Sequence, residues 1–188
     1  MPGPATPEPR TGLVRLAAAD LSPVPWRNGA GLTCELAAGP GWRLSLADLT
    51  APAPFSACPG SDRVHVPLGV GYPLEVDGRL IEARPLEPVC FAGEVPVVLP
   101  SLPQPTAALN LITRRTDCAG SLVVVRHDGA TWWPPYVRAV VLLDGPSPVV
   151  VTGPSPLALQ LGDALVAEVH IFERTPERTP ERTKENQP

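Results

Sequence analysis

With 188 residues, 44% of them hydrophobic, the chain is long enough for one sizeable domain or two small fused ones. A formal net charge of -4 without any Lys/Arg run excludes a nucleic-acid surface, and no apolar run of about 18 residues offers a membrane span. Twenty-seven prolines interrupt helices and bound short strands, so an all-β body with little helix is expected.

In chain order, residues 1–11 read as a disordered, proline-rich arm without the apolar core of a signal peptide, and a soluble, cytoplasmic protein is expected. Leu13–Leu16 is a first strand, and Asp20–Pro25 is a connection. Trp26-Arg27-Asn28-Gly29-Ala30-Gly31 then forms a tight polar loop, because glycines at that density allow left-handed turns and close approach. Such loops sit at the mouths of β-barrels, where ligands bind, although a plain structural turn with an Asn cap is the alternative. Leu32–Ala37 and Trp42–Leu49 are strands joined at Gly39-Pro40-Gly41.

In the second of these strands Trp42, Leu44 and Leu46 share one face, and Arg43, Ser45 and Ala47 the other. If both faces are enclosed, Arg43 and Ser45 need polar partners or a ligand, since a buried unpaired charge is very costly. Otherwise that face is simply wet. Pro54–Gly60 is a loop. Strands follow at Asp62–Val66, at Tyr72–Val76 and Arg79–Ala83 joined by the Asp77-Gly78 turn, at Pro88–Ala92 and at Val95–Leu99. After Pro100–Pro105 come Ala107–Thr113, Ser121–Arg126, Val137–Leu143, Val149–Thr152, Leu157–Leu161 and Ala164–Phe172. From Glu173 the Thr-Pro-Glu-Arg repeat reads as a disordered tail.

A shift of 75 residues aligns positions 62–92 with 137–167 without a gap, pairing Arg63 with Arg138, Gly78 with Gly153 and Ala92 with Ala167. The coinciding strands and turns suggest two tandem barrels. Their boundaries are placed at residues 12–115 and 116–172, with some strands shared. Each copy resembles a cupin core, and Leu159-Gln160-Leu161-Gly162-Asp163-Ala164-Leu165 is similar to the cupin turn before a core strand. The three histidines, His65, His127 and His170, stand alone, so no metal is expected and each reads as a surface or packed residue. Cys34, Cys58, Cys90 and Cys118 form no CxxC pair and read as free thiols.

Six motifs in order carry a wider resemblance: Trp26–Thr33, Trp42-Arg43-Leu44-Ser45, Pro54-Phe55-Ser56, Pro59-Gly60-Ser61-Asp62-Arg63, Phe91-Ala92-Gly93-Glu94 and Leu109–Arg114. Together, over residues 13–172, they resemble the HutD/Ves family, cupin-like proteins named for histidine utilisation. That resemblance implies a metal-free bicupin without cofactor, holding urocanate, formylglutamate or formate and restraining histidine catabolism. It places Asn28, Thr33, Glu35, Arg43, Ser45, Phe55, Arg63 and Asn110 in the pocket, with Trp26, Asp62 and Arg114 around it. An Arg43 or Arg63 fork would grip the carboxylate, Ser45, Thr33 and Asn110 would orient it, and Trp26 and Phe55 would keep the site dry. Glu35 would accept from an imidazole N–H or, as the plainer reading, pair with an Arg. Ala30, Cys34, Glu94 and Ala108 depart from the family pattern, which bears on the ligand more than on the fold. A metal-independent isomerase or hydrolase of a small acidic metabolite is the alternative, and an interaction module the third. The oligomeric state is open, with a dimer as one option.

Overall fold

The computed structural model describes residues 13–26 and 30–174. Proline spacing and alternation yield strands throughout, broken by one 3-10 turn at Ala18–Asp20. The early strands are β1 (Val14–Ala17), β2 (Val24–Pro25), β3 (Gly31–Gly39), β4 (Trp42–Leu49) and β5 (Ala53–Pro54). Next come β6 (Ser61–Pro67), β7 (Tyr72–Val76), β8 (Arg79–Ala83), β9 (Val89–Ala92), β10 (Val97–Leu99) and β11 (Thr106–Arg114). The last four are β12 (Cys118–Trp133), β13 (Val137–Leu142), β14 (Val149–Thr152) and β15 (Leu157–Glu173).

They form three sheets. A six-stranded sheet, ordered β2-β3-β4-β11-β6-β9, lies between a four-stranded one, β5-β10-β7-β8, and a five-stranded one, β1-β14-β13-β15-β12. The alternation read in β4 explains the layering. Leu44 and Leu46 pack with Leu109 and Leu111 against Ala139, Val141 and Val169 of the five-stranded sheet. Ala47, Leu49 and Ala108 point the other way, onto Tyr72, Leu74 and Leu99 of the four-stranded sheet. Arg43 and Ser45 share that second face, so the polar side of β4 looks into the gap between two sheets. Leu111 is fully buried in the first layer. Leu111→Ala is expected to cost about 2–5 kcal/mol through lost transfer energy and a cavity, read as a lower urea midpoint.

Several local expectations change. Val24–Pro25, expected as a connection, adds a short edge strand to β3, and Ala53–Pro54 pairs with β10 rather than opening a loop. Val95 lies outside β10, which starts at Val97. β12 runs well beyond Ser121–Arg126, and β15 is one strand rather than two, because its pairing with β12 continues on both sides of a bulge in which Gly162 and Asp163 stand opposite Asp128. Glu173, expected to begin the tail, pairs with Cys118 and ends β15. The Asp77-Gly78 turn is a primed hairpin turn, with φ of 50° and 73°.

The repeat holds for β6 with β13 and β7 with β14, but the pairing differs. β7 takes the hairpin partner β8 and leaves β6 in another sheet, whereas β14 pairs directly with β13. Pro154 and Pro156, which replace that hairpin, lack the N–H donors a paired return strand needs. The arm 1–11, most of the tail and Arg27, Asn28 and Gly29 lie outside the described residues. All four cysteines are free. Among the described residues no helix is long and apolar enough to cross a membrane.

Candidate functional site

A cavity of about 800 Å³ opens between the six- and four-stranded sheets. Its floor follows from strand register. Glu35 on β3 lies opposite Ser45 on β4, Ser45 opposite Asn110 on β11, and Asn110 opposite His65 on β6. One residue row over, Arg43, Ile112 and Arg63 align in the same way. Strands about 4.8 Å apart thus present two parallel polar rows on one face.

Seven of the eight expected pocket residues line this cavity: Thr33, Glu35, Arg43, Ser45, Phe55, Arg63 and Asn110. Asn28, the eighth, lies outside the described residues. Trp26 also lines it, and its indole Nε1 donates to Thr33 Oγ1 at 2.6 Å. The two arginines differ. Arg43 and Glu35 are solvent-exposed at the rim. Among the described residues no arginine lies within 4 Å of the Glu35 carboxylate, and Arg27 lies outside them. Arg63 is drawn into the floor. It donates through Nε at 3.0 Å and Nη2 at 2.7 Å to Asn110 Oδ1. Its guanidinium carbon sits 4.6 Å from the Phe55 ring centre and 5.8 Å from that of Phe91, a double cation–π contact. Burial, with the nearby Arg43 charge adding to it, lowers Arg63 to about 10, so it stays charged at neutral pH.

Asn110 is 2% exposed and Ser45 6%. No buried side-chain nitrogen or oxygen of the described residues lacks a partner. Asn110 Nδ2, Arg63 Nη1 and Ser45 Oγ, which meet no hydrogen-bond partner among the described residues, face the cavity these residues line. The result is a polar cradle beside an aromatic wall: a fixed cation, an amide donor and a hydroxyl, able to hold an anion by charge-assisted bonds.

Two expected neighbours stand elsewhere. Asp62 does hold an arginine, but it is Arg115, at 2.7 Å on the partly exposed outside, together with Glu94. Arg114 pairs with Asp117 on the surface at 2.8 Å. Their side chains leave the cavity face at the end of β11. Gly93 closes this region, since a Cβ there would collide with the backbone carbonyls of Cys58 and Ser61.

The histidines were expected to stand alone, as surface or packed residues, and none does. His65 is fully buried beside Asn110 at the end of the floor row, with Nδ1 2.8 Å from Asn110 Oδ1 and Nε2 2.6 Å from the Tyr72 hydroxyl. His127 and His170, expected to stand alone, meet on Glu168 at 2.7 and 2.8 Å, and Trp133 Nε1 donates to the same carboxylate at 2.7 Å. His127 lies opposite Ala164, so strand alternation puts it on the same sheet face as Glu168 and His170. Among the described residues no group of three or more His, Cys, Asp or Glu is arranged to hold a metal.

Comparison with known proteins adds context. Residues 18–180 match the HutD family. An uncharacterized 21.2 kDa protein of Pseudomonas putida, from the region 3' of hutC, is 38% identical over 52% of this chain and 56% of its own length. Protein Ves of Cronobacter sakazakii is 35% identical over 53% of this chain and 59% of its own. The chain thus spans little more than half the length of the curated relatives it matches. The solved structure of HutD from Pseudomonas fluorescens SBW25, in a formate condition, covers 87% of this chain and 100% of its own at 26% identity and a TM-score of 0.69. A putative glyoxylate-induced protein of Pseudomonas aeruginosa and an oxalate decarboxylase, at 9% and 10% identity over 96% and 85% of this chain and 96% and 76% of their own, share the fold alone, with TM-scores of 0.62 and 0.54.

Proposed function

Because the chain belongs to the HutD family, we propose that it binds a small carboxylate without turnover and acts as a regulatory partner in histidine utilisation. The observation that carries this reading is Arg63: a half-buried guanidinium, fixed on its Nε side by Asn110 and by two aromatic rings, with Nη1 left open to the cavity. A desolvated cation with no carboxylate partner among the described residues calls for an anion from outside. Urocanate, formylglutamate and formate are the candidates. The P. putida relative's hut-region name and the solved HutD's formate condition fit them. In this reading the chain is a cytoplasmic bicupin, with halves at 12–115 and 116–172 and the ligand in the first.

Calorimetry with each candidate, followed by product analysis, tests it. Binding at a 1:1 ratio with the carboxylate recovered unchanged is the expected result. Product formation would instead establish the metal-independent isomerase or hydrolase. Absence of both binding and turnover for all three would overturn the carboxylate reading.

A further inference from the structure

The buried chain Tyr72–His65–Asn110–Arg63 has a direction that the heavy atoms fix. Arginine only donates, so the Asn110 atom that takes both Arg63 bonds is its oxygen. That oxygen also faces His65 Nδ1, which must therefore carry the proton. A neutral imidazole then has a lone pair on Nε2, so the Tyr72 hydroxyl donates to it. Burial lowers His65 to about 4, in keeping with a neutral ring at pH 7. The acceptor of Asn110 is thus used up by three donors, two from Arg63 and one from His65. What Asn110 and Arg63 show the cavity is N–H alone, beside a Ser45 hydroxyl free to turn.

Resting on the carboxylate reading above, we propose that His65 is a positioning residue: locked by Tyr72 into its Nδ1–H form, it aims the Asn110 amide so that the floor presents N–H donors, and the site therefore takes a carboxylate and rejects the matching carboxamide. A carboxylate offers acceptors on both oxygens. A carboxamide has one oxygen, so where Arg63 and Asn110 each take one oxygen of the anion its NH2 faces one of those two donors and leaves it desolvated and unpaired, which is where hydrogen-bonding sites discriminate most.

The probes are formate and formamide, titrated into the full chain and followed by calorimetry or by chemical shift. Wild-type protein is expected to bind formate at least about tenfold more tightly than formamide. His65→Leu, which removes the Nδ1 donor at a side chain that does not itself line the cavity, is expected to lose about tenfold in formate affinity and most of the discrimination, while His65→Asn, whose amide can donate at the Nδ1 position, is expected to restore both to within about threefold. The nitrogen shifts of His65 in the wild type are expected to show a protonated Nδ1 and a bare Nε2. This readout stands even if His65→Leu does not fold. Equal binding of formate and formamide would overturn the donor-only floor and leave carboxylate binding standing. Unchanged formate affinity in His65→Leu, or a bare Nδ1 in the wild type, would overturn the positioning role. Failure of formate to bind the wild type would remove the carboxylate reading and this inference together.

Discussion

Arg63→Ala is expected to weaken carboxylate binding by about 2–5 kcal/mol, the range for truncating one partner of a buried, hydrogen-bonded charge pair. Calorimetry with formate or urocanate reads this directly. The size follows from where the guanidinium sits. Arg63 lies against Phe55 and Phe91 with its Nε edge on Asn110, so little water screens its free edge. Removal also strips two of the three donors from Asn110 Oδ1, loosening the amide that would share the ligand. Arg43→Ala is the contrast. Arg43 is exposed at the rim, so its loss is expected to cost at most about 1 kcal/mol and to act mainly through salt-dependent association. Equal losses for the two variants would mean that the ligand bridges both arginines.

Glu168→Ala is expected to destabilise the fold by about 3–5 kcal/mol at neutral pH, measured by urea unfolding, with formate affinity unchanged. Glu168 is 9% exposed and accepts from three donors on two strands: His127 and Trp133 of β12, and His170 of its own β15. Without the carboxylate, the Trp133 N–H and both imidazoles lose their shared acceptor at a largely buried position. Burial raises the Glu168 carboxyl, but the bonds from His170, Trp133 and His127 outweigh it, and the net shift is downward. The unfolded chain therefore binds more protons through that window. The contribution is full above the ordinary carboxylate range and is lost as pH falls through the lowered folded value. Glu168→Gln is expected to lack this acid-side loss. Unfolding midpoints of wild type and Glu168→Gln that fall in parallel on acidification would show that the carboxylate charge contributes nothing.

The two polar centres occupy related places. Asn110 is paired across its sheet with His65, and Glu168 with Val140, the residue onto which the 75-residue offset carries His65. One half of the repeat thus holds an amide beneath an open cavity, while the other holds a carboxylate closed over by two imidazoles and an indole.

The sequence made the all-β class legible because proline and glycine punctuation is local, and it made the polar face of β4 legible because alternation has a period of two. Arg43, Ser45 and Asn110 came to one cavity by that route and by the family motifs. Rank among them was not legible. Arg43 sits on a cleanly alternating strand, yet it is Arg63, 47 residues from its partner Asn110, that lies in the floor. That distinction is a matter of register between β6 and β11, which no short window records. His65 was hidden for the same reason: a lone histidine in Asp62-Arg63-Val64-His65-Val66 carries no local sign that it will sit beside Asn110. His127 and His170 were misread because what joins them is a sheet face shared through the register of β12 on β15, with His127 opposite Ala164 and Glu168 two residues before His170, and no short window records that register. Gly162 misled too, marking a break that the long pairing of β12 with β15 overrides.

The most direct test is a structure of the full chain crystallised with formate. The expected result is a carboxylate within hydrogen-bond distance of both Arg63 Nη1 and Asn110 Nδ2, with Phe55 beside it. Formate held only at the Arg43 rim, or the Asn110 oxygen turned towards the cavity, would contradict the account.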